Sequence, residues 1–235
     1  MKVYLHSLLI FCCLLFGPYL PAQDDEPEIR LAFKLDSLSN TNRLSRHFAR
    51  LYTETVLLSL QHYQSAGSRE REYLRRFETA FADLFFRADT SQGKDVGGEA
   101  WTAYYSDTSR SPLQYQLLGI NAHINADLSA ALIRSFTLEE LHIFQNDFLR
   151  FQRGLRQQFH RFYKENIGVN PTTRLFGELP FGLARTWGQN MMGRWRKRQY
   201  RIAVTHYSAP EKSAKLLRKT ARAKERTDRL ILRYL

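Results

Sequence analysis

The feature that most constrains the fold is a helix-initiation signal followed by a largely apolar run. Ser111-Pro112-Leu113-Gln114 combines a capping residue, a proline at the first helical position and a glutamine that completes a capping box. Residues 117–132 come next and read LLGINAHINADLSAAL. We therefore predict a helix over this stretch. Because its side chains are mostly apolar, we expect it to be buried at the centre of the fold.

This central helix carries four polar side chains where leucine or alanine would be ordinary. With the periodicity of an α-helix, Asn121 and Asn125 fall on the stripe that should face the core. His123 and Asp127 are four residues apart and share another face. Buried amides and carboxylates cost free energy unless they are hydrogen-bonded, so neighbouring helices must supply partners. These four residues are the candidate functional site.

Each pair has a functional and a structural interpretation. His123 and Asp127 have the spacing of an acid–base pair or of two ligands of a divalent metal ion. They could equally be a core histidine and the carboxylate that it hydrogen-bonds. Asn121 and Asn125 could hold a substrate carbonyl or phosphate, or they could bond to a loop backbone. The sequence leaves both alternatives open for both pairs.

Helical periodicity continues through the rest of the chain. We find no sustained period-two alternation and no Asn-Gly or Asp-Gly hairpin turn. A second capping box, Thr137-Leu138-Glu139-Glu140, begins a long helix that should end near Gly168. We therefore predict an all-α, single-domain bundle of about six helices around a buried central helix. The helical domain should span residues 41–235, after a lead-in over residues 23–40.

The N-terminus has the pattern of a signal peptide. Residues 1–22 contain Lys2, then an apolar run, then Gly17-Pro18 and a small residue, Ala22, at a suitable cleavage point. We expect cleavage there and export, with the mature protein periplasmic or extracellular. The alternative is that the segment stays uncleaved as a membrane anchor. Both cysteines of the chain lie in this segment. The mature protein would then have no thiol, which excludes cysteine catalysis, disulfides and thiolate metal sites.

Charge is distributed unevenly along the chain. Residues 181–235 contain 15 Lys/Arg and 3 Asp/Glu, whereas residues 23–180 contain 19 and 20. A basic pair of C-terminal helices favours an anionic membrane surface, phosphates or an acidic partner. The alternative is a solvated basic face without a binding role. Nucleic acid is an unlikely partner for an exported protein.

The sequence of the central helix also resembles that of a known family. Residues 119–128, GINAHINADL, are similar to the signature G-(I/M)-N-A-H-I-N-x-D-L of bacterial all-helical proteins catalogued as a domain of unknown function. Weaker similarity extends over roughly residues 40–160, including Trp101. The resemblance implies a helical fold, with residues 41–168 as the family-like core. It points to the same His, Asp and Asn residues without bringing a reaction.

Two functions of different classes follow from these patterns. The first is a hydrolase for a small molecule or lipid, with His123 as general base or metal ligand, Asp127 assisting it, and Asn121 and Asn125 binding substrate. The second is a non-catalytic envelope protein that binds or scaffolds through its basic C-terminal helices. No phosphate loop, dinucleotide fingerprint, nucleophile elbow or HExxH motif is present. A pocket beside His123 would favour the enzyme, and a sealed hydrogen-bonded core would favour the scaffold.

Overall fold

The computed structural model describes residues 27–95, 98–166 and 183–234, and every regular element in these ranges is a helix. This confirms the all-α prediction, with eight helices in the described ranges rather than about six. In chain order they are α1 (Pro27–Ser39), α2 (Arg46–Ser65), α3 (Ser68–Ser91), α4 (Thr102–Tyr105), α5 (112–135), α6 (Leu138–Asn166), α7 (Leu183–Ser208) and α8 (Pro210–Tyr234). A 3₁₀ turn, Gly98–Trp101, precedes the short α4.

Helix α5 is the predicted central helix, and it is surrounded. Helices α2, α3, α7 and α8 all pack against it. Of the predicted stripe, Ile124, Leu128, Ala131 and Leu132 are buried and Leu117 is half-buried. The apolar stripe read from the sequence is therefore the face that the neighbouring helices cover.

Both predicted capping boxes are present. Ser111 Oγ accepts a hydrogen bond from the Gln114 amide, and the Gln114 side chain accepts one from the Ser111 amide. Thr137 and Glu140 make the same reciprocal pair before α6. Each box satisfies two backbone donors that the first turn of a helix leaves free, so each fixes where its helix begins.

A glycine brings α2 close to the central helix. A Cβ atom built on Gly119 would lie 2.5 Å from Cδ2 of Phe48, closer than real side chains approach one another. The Phe48 ring occupies that space and also packs edge-on against Phe85 and Trp101. The absence of a side chain at position 119 thus lets an aromatic layer form beside the polar residues of α5.

Helix α1 occupies most of the segment predicted as a lead-in. It packs against α2 and α3, and its buried Glu28 carboxylate lies 3.2 Å from Arg75 Nε. Residues 27–39 are therefore part of the packed structure. The predicted signal peptide falls outside the described residues. None of the described helices is both long and apolar enough to span a membrane.

Candidate functional site

The four candidate residues lie where the central helix changes its hydrogen-bonding pattern. Pro112–Ala122 and Leu128–Ser135 are α-helical, but His123–Asp127 forms a π-helical turn, in which the Leu128 amide donates to the His123 carbonyl. A π turn contains more residues than an α-helical turn. Side chains four residues apart therefore lie slightly closer to one above the other than they do in an α-helix. The sequence predicts an uninterrupted α-helix here, and the π turn is the difference.

Asp127 holds the imidazole of His123 in a fixed orientation. His123 Nδ1 and Asp127 Oδ2 are 2.8 Å apart, and Trp101 Nε1 donates to the same oxygen at 3.1 Å. All three side chains are buried. Because the carboxylate accepts from Nδ1, the neutral imidazole carries its proton there and presents a lone pair at Nε2.

The surroundings of His123 keep the ring neutral. It stacks on Phe81 with ring centroids 3.6 Å apart, and Tyr52 packs edge-on against it at 4.9 Å. Burial lowers the pKa of the His123 imidazole below its ordinary value; Asp127 opposes this shift and Arg196 adds to it. His123 Nε2 is buried and has no hydrogen-bond partner. An unpartnered basic nitrogen in the protein interior is uncommon and calls for an explanation.

A cavity of about 80 Å³ adjoins this imidazole. That volume would hold several water molecules or a small organic group. Seven of its eleven lining side chains are apolar, and the four polar ones are Tyr52, Thr55, His123 and Arg196. Thr55 and Met192 are half-buried and the other nine are buried, so the cavity comes nearest to solvent between α2 and α7.

Arg196 is the least expected residue in the cavity wall. It is only 4% exposed, and its Nε and Nη2 atoms have no hydrogen-bond partner. Its guanidinium lies over the Phe148 ring, 5.0 Å from the centroid. Burial lowers the pKa of Arg196 to about 10, which leaves the side chain charged at neutral pH. Tyr52, in the same wall, also has a buried hydroxyl without a partner.

A buried carboxyl group, Glu78 on α3, acts on this charge from a distance. It accepts hydrogen bonds from Ser59 and from the Tyr63 hydroxyl, the latter at 2.8 Å. Burial raises the pKa of Glu78 to about 7, against the effect of both hydrogen bonds and of Arg196. Glu78 is therefore only partly ionised at neutral pH, and it makes no direct ion pair with Arg196.

The two asparagines take part in a separate network, which we call the amide side. Asn121 Nδ2 donates to the Lys224 carbonyl at 2.9 Å and to Asp228 Oδ1 at 2.7 Å. Asn125 Nδ2 donates to Asn121 Oδ1 at 2.8 Å, and Gln199 Nε2 donates to the Asn125 carbonyl at 2.8 Å. The amides thus link the π turn to α7 and α8.

A buried ion pair completes the amide side. Lys224 Nζ lies 2.7 Å from Asp228 Oδ2, and both side chains are almost fully buried. One acceptor, Gln199 Oε1, has no partner, whereas the side chains of Asn121, Asn125, Lys224 and Asp228 each make at least one hydrogen bond within the network. We call the opposite group, consisting of His123, Tyr52 and Arg196, the cavity side.

Comparison with known proteins places the chain in a family. A family model described as a family of unknown function, DUF5995, matches residues 29–234. The chain belongs to this family. No curated protein and no solved structure matches it.

Within this DUF5995 fold the predicted site is divided between two environments. His123 and Asp127 are joined by a hydrogen bond, as their spacing predicts, and His123 lines the cavity. Asn121 and Asn125 are buried and paired, as their place on the apolar stripe predicts, but neither lines that cavity. In the part of the chain described here, no group of three or more His, Asp, Glu or Cys residues could hold a metal ion.

Other polar residues near the predicted core lie elsewhere. Glu78 is buried near the cavity side, but Asp83 is exposed. His142 and Asn146 are exposed on α6, and the buried Asp147 pairs with Arg150. These α6 residues do not reach the site.

Sequence reasoning missed Arg196, although a signal was present. Its segment, Arg194-Trp195-Arg196-Lys197-Arg198, looks like a solvated basic run. Apolar residues nevertheless recur along this segment at Met192, Trp195, Tyr200 and Ala203. With helical periodicity they share one arc that includes position 196, which is typical of a buried helix face. It would have placed Arg196 inside the protein.

Proposed function

We propose that the protein is a hydrolase for a small molecule or lipid with an apolar body, and that the cavity beside His123 is its active site. The observation that carries this proposal is the unpartnered Nε2 of a buried, aspartate-oriented imidazole in the wall of a cavity. A histidine that serves only the core would be expected to have both nitrogens bonded.

In the proposed reaction His123 is the general base. A water molecule in the cavity gives a proton to His123 Nε2 while its oxygen attacks the carbonyl carbon of the substrate. The negative Asp127 stabilises the imidazolium that forms. When the bond from that carbon to the leaving group breaks, the imidazolium returns the proton to the leaving group, and His123 is neutral again.

Water is the nucleophile in this scheme because the hydroxyls of the wall are not activated. Burial raises the pKa of Tyr52 well above its ordinary value. Thr55 Oγ1 donates to the Leu51 carbonyl at 3.3 Å and contacts no base. Asn121 and Asn125 act in this proposal by holding α7 and α8 against the π turn, since their amides are already paired.

A panel of chromogenic esters with acyl chains of two to eight carbons tests the proposal. General-base catalysis contributes about 10²–10⁴-fold to a rate, so His123→Ala should lower kcat/KM by that factor. Asp127→Asn should lower it as well. The matched control is His142→Ala, which removes an exposed histidine on α6 and should leave the rate unchanged. Hydrolysis that persists in a folded His123→Ala protein would overturn the proposal.

The same preparations decide the metal question. A metal ion at His123 would have to bind Nε2, since Nδ1 is bonded to Asp127. Elemental analysis of the purified protein, and ester hydrolysis after dialysis against a chelator, distinguish a metal-bound water from a free one. The general-base scheme predicts activity that a chelator does not change.

The second candidate function rests on the surface of α8. Only two acidic side chains are exposed along this helix, whereas eight basic ones are. The exposed basic residues are Lys212, Lys215, Arg218, Lys219, Arg222, Arg226, Arg229 and Arg233. With export as the proposed location, this surface favours an anionic membrane or an acidic partner rather than nucleic acid. Sedimentation with vesicles containing anionic lipid should then show binding that weakens steeply with salt.

A further inference from the structure

The cavity side contains a positive charge that nothing in the described protein neutralises at short range. Among the described residues no carboxylate forms an ion pair with Arg196, and two of its nitrogens have no hydrogen-bond partner. Its one described close interaction is with the face of Phe148. Proteins rarely bury a charge without pairing it, because removing an ion from water is costly.

The neighbouring acids do not fill this role. Asp127 accepts from His123 and Trp101, and Glu78 accepts from Ser59 and Tyr63. Both carboxyl groups are therefore used by other donors. The hydroxyl of Tyr52 is a further donor in the same wall without an acceptor. The side chains that line the cavity thus include two with unmet donors, Arg196 and Tyr52, and one with an unmet acceptor nitrogen, His123.

We infer that the cavity binds a ligand with a carboxylate group, which Arg196 and Tyr52 hold while its apolar body lies against Phe48, Phe81 and Ile124. The inference deepens the proposed function and rests on it for the reaction: the substrate would be a small ester or amide that carries a free carboxylate. Binding of the carboxylate itself requires only the cavity side.

The chemistry of the wall favours a carboxylate over a phosphate. A planar guanidinium matches the two oxygens of a carboxylate, and one positive charge balances one negative charge. A phosphate monoester carries about −1.5 to −2 at neutral pH, and the described residues of the wall include no second cation to balance it. The many apolar lining residues agree with a hydrocarbon body rather than a polar one.

Calorimetric titration of the full-length wild-type protein tests the inference without a variant. The probes are butanoate and hexanoate, with butanol, hexanol and hexyl phosphate for comparison. Hexanoate should bind at least about tenfold more tightly than hexanol, as expected for a charge-assisted contact. Equal affinity for the acid and the alcohol, tighter binding of hexyl phosphate, or no binding of either acid would overturn the inference.

Two matched arginine variants identify the contact. Arg196→Met should weaken hexanoate binding at least about tenfold and change hexanol binding little. Arg194→Met, an exposed arginine two residues earlier on α7, should change neither. A folded Arg196→Met protein that still prefers hexanoate over hexanol would contradict the assignment. Tyr52→Phe removes the second donor from the same site and should weaken hexanoate binding by a smaller factor than Arg196→Met does.

The two proposals fail differently. If hexanoate binds through Arg196 but His123→Ala does not affect ester hydrolysis, the carboxylate site stands and the hydrolase is wrong. If hydrolysis depends on His123 but Arg196→Met affects neither hexanoate binding nor the hydrolysis of carboxylated esters, the hydrolase stands and the carboxylate inference is wrong.

Discussion

On the amide side of the central helix, Asn121 bonds to Lys224 and Asp228, while on the cavity side His123 Nε2 and the Nε and Nη2 atoms of Arg196 have no hydrogen-bond partner. Both sides are equally far from solvent. Burial therefore does not distinguish them, but the completeness of their hydrogen bonding does. A satisfied network stabilises a fold, whereas unmet donors and acceptors beside a cavity cost stability and are typical of ligand sites.

The amide side should react strongly to the loss of one member. Asn121→Leu removes two donor bonds and leaves both Asn125 Nδ2 and Asp228 Oδ1 short of a partner. We expect the free energy of unfolding to fall by about 2–4 kcal/mol. Denaturant titration measures it, with the exposed Asn146→Leu on α6 as the control expected to change little. If Asn121→Leu lowers the free energy of unfolding no more than Asn146→Leu does, the amide side does not stabilise the fold as proposed.

Glu78, the buried carboxyl group near the cavity side, should instead show the cost of its burial as a pH dependence. The pKa of Glu78 rises from 4.5 in the unfolded chain to about 7, so the folded state binds an additional proton between those values. Stability from this group is greatest at low pH and falls as pH rises toward 7. At about 1.4 kcal/mol per pKa unit the loss is about 3 kcal/mol.

Glu78→Gln isolates this effect from other titrations. The stability difference between the variant and the wild type should shift by about 2.5 kcal/mol in favour of the variant from pH 5 to pH 8, because part of the total loss has already occurred at pH 5. Unfolding curves of both proteins at four pH values give the difference directly. A difference that stays constant with pH would mean that the carboxyl group titrates normally in the fold.

The close approach of α2 to the central helix at Gly119 should tolerate little change. Gly119→Ala gains about 1 kcal/mol in helix propensity but forces the Phe48 ring to move, which costs about 1–3 kcal/mol. We expect a net loss of about 1 kcal/mol in thermal unfolding. Gly154→Ala is the matched control, since its new Cβ would meet only Leu58 at 3.9 Å and should stabilise α6.

The smallest expected effect concerns a single hydroxyl. Tyr52 Oη is buried without a partner, so Tyr52→Phe should leave stability unchanged or raise it by up to about 1 kcal/mol. Tyr63→Phe removes a hydroxyl that donates to Glu78 at 2.8 Å and should lower stability. Thermal melts compare the two variants. A larger loss of thermal stability in Tyr52→Phe than in Tyr63→Phe would contradict the expectation that the unpartnered hydroxyl contributes less than the hydrogen-bonded one.

Much of the fold could be predicted from local signals. The capping boxes at Ser111 and Thr137 predict where two helices begin. Each box can be recognised in the sequence because its hydrogen bonds join residues only three positions apart. The i, i+4 spacing of His123 and Asp127 predicts their contact for the same reason. Polar residues on an apolar stripe predict buried amides, since the stripe itself marks the core.

What the sequence could not supply depends on contacts between distant segments. The two acceptors of the Asn121 amide come from α8, and Arg196 reaches the cavity from α7. Charge counting assigns both basic helices to the surface, although Lys224 and Arg196 are buried. The π turn is likewise a tertiary feature, in which Gln199 bonds the Asn125 carbonyl and no local propensity marks the wider turn.

The central claim is that the amide side serves the fold and the cavity side serves a ligand. One measurement tests it directly: the unfolding free energies of Lys224→Met and Arg196→Met, which replace two equally buried cations on neighbouring helices with the same apolar side chain. Lys224→Met leaves Asp228 without its ion-pair partner and should cost about 3–5 kcal/mol. Arg196→Met removes an unpaired charge and should leave stability unchanged or increased. Equal losses in the two variants would contradict the claim.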